Sequence, residues 1–258
     1  MTIHVEDCGH GPILYCLHGI GGTAASFASL AARWQSRFRV LAWDAPGYGA
    51  SANPPEGFSM ADYGRVAAEA LGQVGADRAV VMGHSFGAVC ALAMAQSHPE
   101  MVAGLILVDA TLGDRTQPAA VKDAHLRARI DAVTTLSIEE MARRRTPEVL
   151  SEFASPAVHD ETRRVMSQVR RRGYIAAAQA IHDADALPAA RSWKGPTLLV
   201  WGERDTVTPL AYAERLRAAM PQAELAVLPR ASHMVYLEQE ALFDDTVARF
   251  AERVHAGR

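Results

Sequence analysis

The pentapeptide Gly83-His84-Ser85-Phe86-Gly87 has the residue types and spacing that expose a nucleophile. It lies between an apolar run, 79–82, and a small-residue stretch, 88–96, which predicts a strand, a sharp turn and a helix. A serine at such a turn is strained, and glycines two residues before and after it meet a steric requirement. The helix would direct its dipole and the Phe86 N–H toward negative charge beside Ser85. A serine that merely caps the helix would not account for the motifs that follow.

A glycine-rich loop, His18-Gly19-Ile20-Gly21-Gly22, follows an early strand. Acyl transfer needs two fixed donors for the oxyanion, each typically worth about 10²–10³ in rate. We expect these donors to be the backbone N–H groups of Ile20 and Phe86. Phosphate binding is disfavoured, because the loop has neither Gly-x-Gly-x-x-Gly nor Lys-Ser/Thr after its glycines. We expect His18, beside the tight turn, to be a structural hydrogen-bonding residue and not a base.

Two further segments supply a carboxylate and an imidazole. Asp205 ends the turn Gly202-Glu203-Arg204-Asp205 after a buried-type strand, and His233 lies in a loop after the strand-like segment 225–228. A serine hydroxyl needs a base to remove its proton during attack, and a carboxylate can orient that base. The chain order Ser, Asp, His is the one associated with a nucleophile elbow on an α/β sheet. Asp109, which ends the strand-like segment 105–108, competes with Asp205 as the acid.

The elements that must position these residues alternate along the chain. Strand-like segments lie near 3–6, 12–17, 38–43, 79–83, 103–109, 196–202 and 224–228, with helical stretches between them from the third onward. This alternation predicts a mostly parallel sheet with helices on both faces.

The strand pattern disappears from about Thr111 to Arg191, where helix signals replace it. Ser137 opens a capping box, and Thr146-Pro147 and Ser155-Pro156 each offer an N-cap followed by proline. We expect Gly173 to stop one helix. The segment is therefore predicted to be an all-helical insertion of about eighty residues.

With these motifs, and with the turn 44–51 after the third strand, the sequence resembles the α/β-hydrolase family over nearly its whole length. The resemblance implies a core domain of 1–110 and 191–258 and a helical cap, or lid, of 111–190 over Ser85. It implies Ser85 as nucleophile, His233 as general base and then acid, and Asp205 as the carboxylate that orients His233.

The substrate pocket is expected to be apolar, with its roof supplied by the cap. Phe153 and Ile175 are further candidates for that roof. The residues that we expect to bind substrate are Leu112, Met141, Met166, Tyr174, Val207 and Met234.

Departures from subfamily patterns narrow the reaction class to hydrolysis of a small carboxylic ester or lactone through an acyl-serine intermediate. Dehalogenases of this fold carry an aspartate where this chain has Ser85. Carbon–carbon bond hydrolases usually have Asn before the elbow serine and Trp after the catalytic histidine, where this chain has His84 and Met234. Cofactor-free haloperoxidases commonly have proline at the position of Gly21. A carbon–carbon hydrolase, or a triad-bearing ligand receptor with slow turnover, stays open as an alternative.

Composition fits one large α/β domain, with 258 residues, 49% hydrophobic residues and a net charge of −3. The arginine runs 143–145 and 170–172 are interleaved with acids and are expected to be solvated helix faces, so no nucleic-acid or membrane partner is predicted. Three cysteines, Cys8, Cys16 and Cys90, lack metal-ligand spacing. We expect no metal or cofactor, a cytoplasmic location, a small-molecule partner, and a monomer or homodimer.

Overall fold

Seven strands form one sheet in the computed structural model, which describes residues 1–257. The sheet order is β1-β3-β2-β4-β5-β6-β7. Only β1 is antiparallel, pairing with β3 so that Val5 lies opposite Trp43, and the other neighbours are parallel. The strands are β1 Val5–Gly9, β2 Ile13–Leu17, β3 Arg39–Trp43, β4 Ala79–His84, β5 Val102–Val108, β6 Thr197–Gly202 and β7 Glu224–Leu228.

Eleven α-helices are assigned among the described residues. They are α1 Ala28–Trp34, α2 Met60–Gln73, α3 Phe86–Ser97, α4 Ala119–Thr134, α5 Ile138–Val149, α6 Pro156–Met166, α7 Arg171–Asp183, α8 Ala186–Ser192, α9 Leu210–Ala219, α10 Val235–Glu238 and α11 Glu240–Ala256.

Helices cover both faces of the sheet, because its central strands are apolar on both sides. In β4 the side chain of Val81 enters one apolar cluster and that of Met82 enters the other. The first cluster contains residues of α2, α3 and α9, and the second contains residues of α1 and α11. In the sequence, parallel strands that are buried on both faces appear as continuous apolar runs. The predicted doubly covered, mostly parallel sheet is confirmed.

The strand order reverses direction at β2. From β2 the chain continues to β3 on one side, whereas β4 pairs with the other side of β2. Open α/β sheets bind ligands outside the carboxyl ends of their strands at such a reversal. The loop 18–22 leaves β2 there and Ser85 leaves β4, so the first two predicted motifs meet at this point.

Between β5 and β6 the structure contains helices α4 to α8 and no strand. Ser137 and Ser155 cap α5 and α6, each accepting a hydrogen bond from the backbone three residues ahead, as the sequence predicts. The predicted helix start at Thr146-Pro147 is wrong, because Pro147 lies inside α5 and the Thr146 hydroxyl donates to Ala142 O at 2.8 Å. Among residues 1–257, no helix combines the length and apolar character needed to cross a bilayer.

The prediction that Gly173 stops a helix is also wrong, since Gly173 lies in the first turn of α7. A Cβ at Gly173 would stand 2.2 Å from the carbonyl oxygen of Gly47, so the glycine serves close packing of α7 against the turn after β3. Glycine is required here by contact with another backbone and not by a helix end.

Candidate active site

Ser85 occupies the turn between β4 and α3 in a left-handed conformation, with φ +53° and ψ −111°. Its N–H donates to Val108 O at 2.9 Å, which ties the turn to the neighbouring strand. A Cβ at Gly83 would lie 2.3 Å from Gly87 O, and a Cβ at Gly87 would lie 2.1 Å from Leu17 O. Both flanking glycines are thus demanded by close backbone contacts, and the strain at Ser85 is of the kind concentrated at functional sites.

His233 and Asp205 are joined by a buried hydrogen bond, 2.8 Å between His233 Nδ1 and Asp205 Oδ2. Burial raises the pKa of Asp205, but the His233 charge and hydrogen bonds from His233 and Thr208 reverse this, so the pKa lies below its ordinary value. Asp205 is therefore an ionised acceptor. With Nδ1–H donating to Asp205, His233 keeps Nε2 free to accept a proton.

Thr208 is the polar residue that sequence reasoning missed. Its hydroxyl donates to Asp205 Oδ2 at 2.6 Å, and the N–H groups of Val207 and Thr208 donate to Asp205 Oδ1 at 2.7 and 2.9 Å. The turn thus supports both oxygens of the carboxylate that faces His233. The spacing Asp205-x-x-Thr208, an acid followed by a hydroxyl at the start of a helix, was the available signal.

Asp109, the competing acid, makes no hydrogen bond to His233 among the described residues. Its Oδ1 accepts from Gly202 N at 2.8 Å, its Oδ2 is buried without a partner, and its backbone lies at φ +43°. Burial raises the pKa of Asp109 well above its ordinary value, and the nearby charge of Asp205 acts in the same direction. The structure therefore brings Asp205, and not Asp109, to the imidazole.

His84, the residue before Ser85, anchors the loop that carries His233. Its Nε2–H donates to His233 O at 2.8 Å, and the two rings lie 4.8 Å apart between centroids. Burial lowers the pKa of His84, the charge of His233 acts in the same direction, and the pKa lies at about 3. A neutral imidazole in this place couples the serine turn to the histidine loop.

The loop after β2 is held by His18. Ala45 N donates to His18 Nε2 at 3.0 Å, and His18 Nδ1 donates to Gly19 O at 2.8 Å. Burial lowers the pKa of His18 to about 4, so the ring is a neutral structural bridge.

The two expected backbone donors lie free of other partners. Among the described residues, the Ile20 N–H has no hydrogen-bond partner, while the Ile20 carbonyl accepts from the Tyr48 hydroxyl at 3.0 Å. Phe86 begins α3, and the N–H groups of a first helical turn lack partners within the helix. Of the two residues, Ile20 lines the cavity described below, whereas Phe86 follows Ser85 and is not part of its wall.

A cavity of about 630 Å³ opens above these residues, a size that suits a small organic ligand. The sequence-predicted residues along its wall are Ile20, Ser85, Met141, Met166, Tyr174, Val207, His233 and Met234. No hydrogen bond joins Ser85 to His233 within residues 1–257, although both face this cavity. Such bonds are often long before substrate binds.

Three apolar candidates lie elsewhere. Leu112 is packed in the larger apolar cluster, and its neighbour Thr111 faces the cavity instead. Phe153 is exposed on the surface beneath the Arg230 guanidinium, 4.5 Å from the ring centroid. Ile175 is also absent from the cavity wall. The wall includes Arg144 and Arg145, which the sequence analysis assigned to a solvated helix face, and it also includes Arg129, Glu148 and Glu161.

One group of possible metal ligands occurs in the described part of the chain. Single ligand atoms of His84, Asp109 and His233 lie within 4.8 Å of one another. Each side chain already has a protein partner, His233 O, Gly202 N and Asp205 respectively. We assign no metal to this group.

Comparison with known proteins is consistent with this geometry. The family model described as alpha/beta hydrolase fold matches residues 12–240. A pimeloyl-[acyl-carrier protein] methyl ester esterase from Chromobacterium violaceum is 31% identical, over 98% of this chain and 99% of its own. A 2-hydroxy-6-oxononadienedioate/2-hydroxy-6-oxononatrienedioate hydrolase from a Pseudomonas species is 27% identical, over 98% and 92%. A thermophilic esterase structure from Thermogutta terrifontis superimposes with a TM-score of 0.89 at 24% identity, over 98% and 94%.

Proposed function

Because this chain belongs to the α/β-hydrolase fold family, we propose that it hydrolyses a small carboxylic ester or lactone through an acyl-Ser85 intermediate. The observation that carries the proposal is that Ser85 and His233 line the same cavity. Ser85 is strained at its turn, and His233 is bonded through Nδ1 to Asp205. Nucleophile, base and orienting acid in this arrangement form the set that acyl transfer requires.

In the first half-reaction Ser85 Oγ attacks the ester carbonyl carbon while His233 Nε2 takes the hydroxyl proton. The tetrahedral intermediate then collapses, the carbon–oxygen bond to the leaving alcohol breaks, and His233 returns the proton to that oxygen. Asp205 stays ionised throughout and stabilises the imidazolium without taking its proton. The N–H groups of Ile20 and Phe86 donate to the oxyanion.

In the second half-reaction water attacks the acyl carbon and gives a proton to His233. The bond to Ser85 Oγ breaks, the proton returns to the serine, and the carboxylic acid leaves. For a lactone the leaving alcohol stays attached to the acyl group, so the product is a hydroxy acid. The helical segment 111–190, which supplies α4 to α7 to the cavity wall, acts as the cap that selects the substrate.

The test is release of nitrophenol from acyl esters of graded chain length, with a small panel of lactones, by wild type and Ser85→Ala. We expect turnover of about 1 s⁻¹ or more on a good substrate, a chain-length optimum set by the cavity, and loss of turnover in Ser85→Ala. Release of at most one nitrophenol per chain would reject an ester hydrolase and favour the receptor alternative.

Carbon–carbon bond hydrolysis is the second candidate, favoured by the similarity to the 2-hydroxy-6-oxononadienedioate/2-hydroxy-6-oxononatrienedioate hydrolase. The residues His84 and Met234 favour the ester or lactone reaction, since neither is the residue usual in ring-cleavage-product hydrolases. Ser85-dependent turnover of a vinylogous diketone in the absence of ester turnover would establish this alternative.

A further inference from the structure

Besides its apolar residues, the cavity wall contains three side chains that can donate hydrogen bonds, Tyr174 of α7, Arg129 of α4 and Arg145 of α5. Tyr174 is only 7% exposed, and its hydroxyl has no hydrogen-bond partner among the described residues. Unlike the hydroxyls of Tyr15 and Tyr63, the Tyr174 hydroxyl is not fully enclosed by protein, so it can donate a hydrogen bond to a molecule in the cavity. A ligand polar atom in the cavity would supply the missing partner.

Two positively charged side chains, Arg145 and Arg129, lie near this hydroxyl. Burial raises the pKa of Tyr174, and the charges of Arg145 and Arg129 oppose the rise, so both guanidinium groups lie within electrostatic reach of the phenol oxygen. An anionic oxygen placed at the hydroxyl would accept its proton as a hydrogen bond and would face both arginines.

Both arginines also have an acidic partner within the protein, Asp114 for Arg129 and Glu148 for Arg145. Arg129 is held by the buried Asp114, so its position is set while Nε and Nη2 stay available. Glu161 is bonded twice by Arg164, at 2.7 Å each.

In α5, Glu140 and Glu148 are the acids that pair with the arginines 143–145. Glu140 is bonded by both Arg143 and Arg144, so these two arginines share one acid. Arg145 pairs only with Glu148 three residues ahead, and the two side chains are 42% and 58% exposed. Exposed pairs of this kind contribute little free energy, so Arg145 can turn to a bound anion.

We propose that the cavity binds substrates with a second, anionic group, namely esters or lactones that carry a free carboxylate, with the carboxylate held by Tyr174, Arg145 and Arg129. This inference rests on the proposed function, because the ester carbon must lie at Ser85 when the carboxylate lies against the helical segment. The inference also distinguishes among the arginines 143–145, since Arg144 and Arg145 line the cavity and Arg143 does not.

The test compares two nitrophenyl esters of dicarboxylic acids of the same chain length, one ending in a carboxylate and one in a neutral carboxamide. For wild type we expect kcat/KM to favour the carboxylate by about 10-fold to 100-fold, through KM, as for hydrogen bonds to charged groups. The preference should fall at least several-fold in Tyr174→Phe and in Arg145→Gln. Raising the salt concentration should also weaken it.

Arg143→Gln is the matched control, because it removes the same charge from the same helix at a side chain outside the cavity wall. A preference near one in wild type, or an equal loss in Arg143→Gln and Arg145→Gln, would overturn the inference. Thermal unfolding of each variant checks that the fold is retained.

Failure of the inference and failure of the proposed function give different results. Equal Ser85-dependent turnover of both esters rejects anion recognition alone. If neither ester is turned over, calorimetric titration with adipic acid monoamide and with adipamide decides the inference without catalysis. Binding at least about tenfold tighter for the carboxylate supports the inference, and equal affinities reject it.

Discussion

His84 Nε2 donates a hydrogen bond of 2.8 Å to the carbonyl oxygen of His233. The residue next to the proposed nucleophile thus holds the backbone of the proposed base, across 149 positions of sequence. Misplacement of a catalytic group by about 1 Å can cost about 10²-fold in rate. His84 is therefore a positioning residue in the proposed mechanism.

His84→Ala should lower kcat by roughly 10-fold to 100-fold with a smaller change in KM, because the loop of His233 loses its anchor. His84→Gln, which can still donate to the carbonyl, should recover part of the loss. His10→Ala is the control, since His10 is exposed. Steady-state kinetics of the three variants test this role, and a loss confined to KM would argue against it.

Thr208→Val should lower kcat by about fivefold to tenfold, because Asp205 Oδ2 loses a donor at 2.6 Å while both backbone donors to Oδ1 are kept. Thr208→Ser retains the hydroxyl and should restore most of the rate. Equal rates in the valine and serine variants would show that the hydroxyl does not support the carboxylate.

Asp205→Asn should lower kcat by about 10⁴, since the amide cannot hold the imidazole in the tautomer that leaves Nε2 free. Asp109→Asn should change kcat by less than about tenfold, because an amide oxygen can still accept from Gly202 N. Parallel kinetics of the two variants decide between the acids, and the reverse ranking would move the acid to the strand β5.

Stability should depend on pH through two of the buried histidines, His84 and His18. The folded-state pKa values, about 3 for His84 and about 4 for His18, lie below the ordinary value of 6.5. The unfolded chain therefore binds more protons below pH 6.5, and these groups lower the free energy of unfolding as the pH falls toward 4. Asp109, whose pKa is raised, has the opposite sign.

A variant isolates the histidine contribution. His84→Gln should make the free energy of unfolding less dependent on pH by up to about 1.4 kcal/mol per pH unit between pH 6.5 and 4.5. Urea unfolding of wild type and variant at several pH values measures the difference. Parallel curves for the two proteins would contradict the assignment of a buried neutral His84.

The sheet could be predicted from the sequence because its central strands are continuous apolar runs, and the predicted bounds differ from the observed ones by a few residues at most. Ser85 could be located because the glycines two residues before and after it mark a strand–turn–helix motif. Local signals failed where a contact between distant residues decided the structure. Gly173 packs against Gly47, and Pro147 is tolerated within α5.

The polar surroundings of the site could not be predicted for the same reason. Thr208 lies near Asp205 in sequence, but the burial of the carboxylate and its contact with His233 depend on how β6 and β7 pair. The arginines 143–145 of α5 were predicted to lie on a solvated helix face, because the sequence does not indicate which side of a helix faces a cavity. Leu112 and Thr111 illustrate this limit for adjacent residues in a loop.

The most direct test of the central claim is mass spectrometry of the protein quenched with acid during turnover of a nitrophenyl ester. The proposed mechanism predicts one added acyl group per chain, mapped to the peptide that contains Ser85, and no adduct in Ser85→Ala. A hydrolysed ester with no adduct, or an adduct on another residue, would contradict an acyl-Ser85 intermediate.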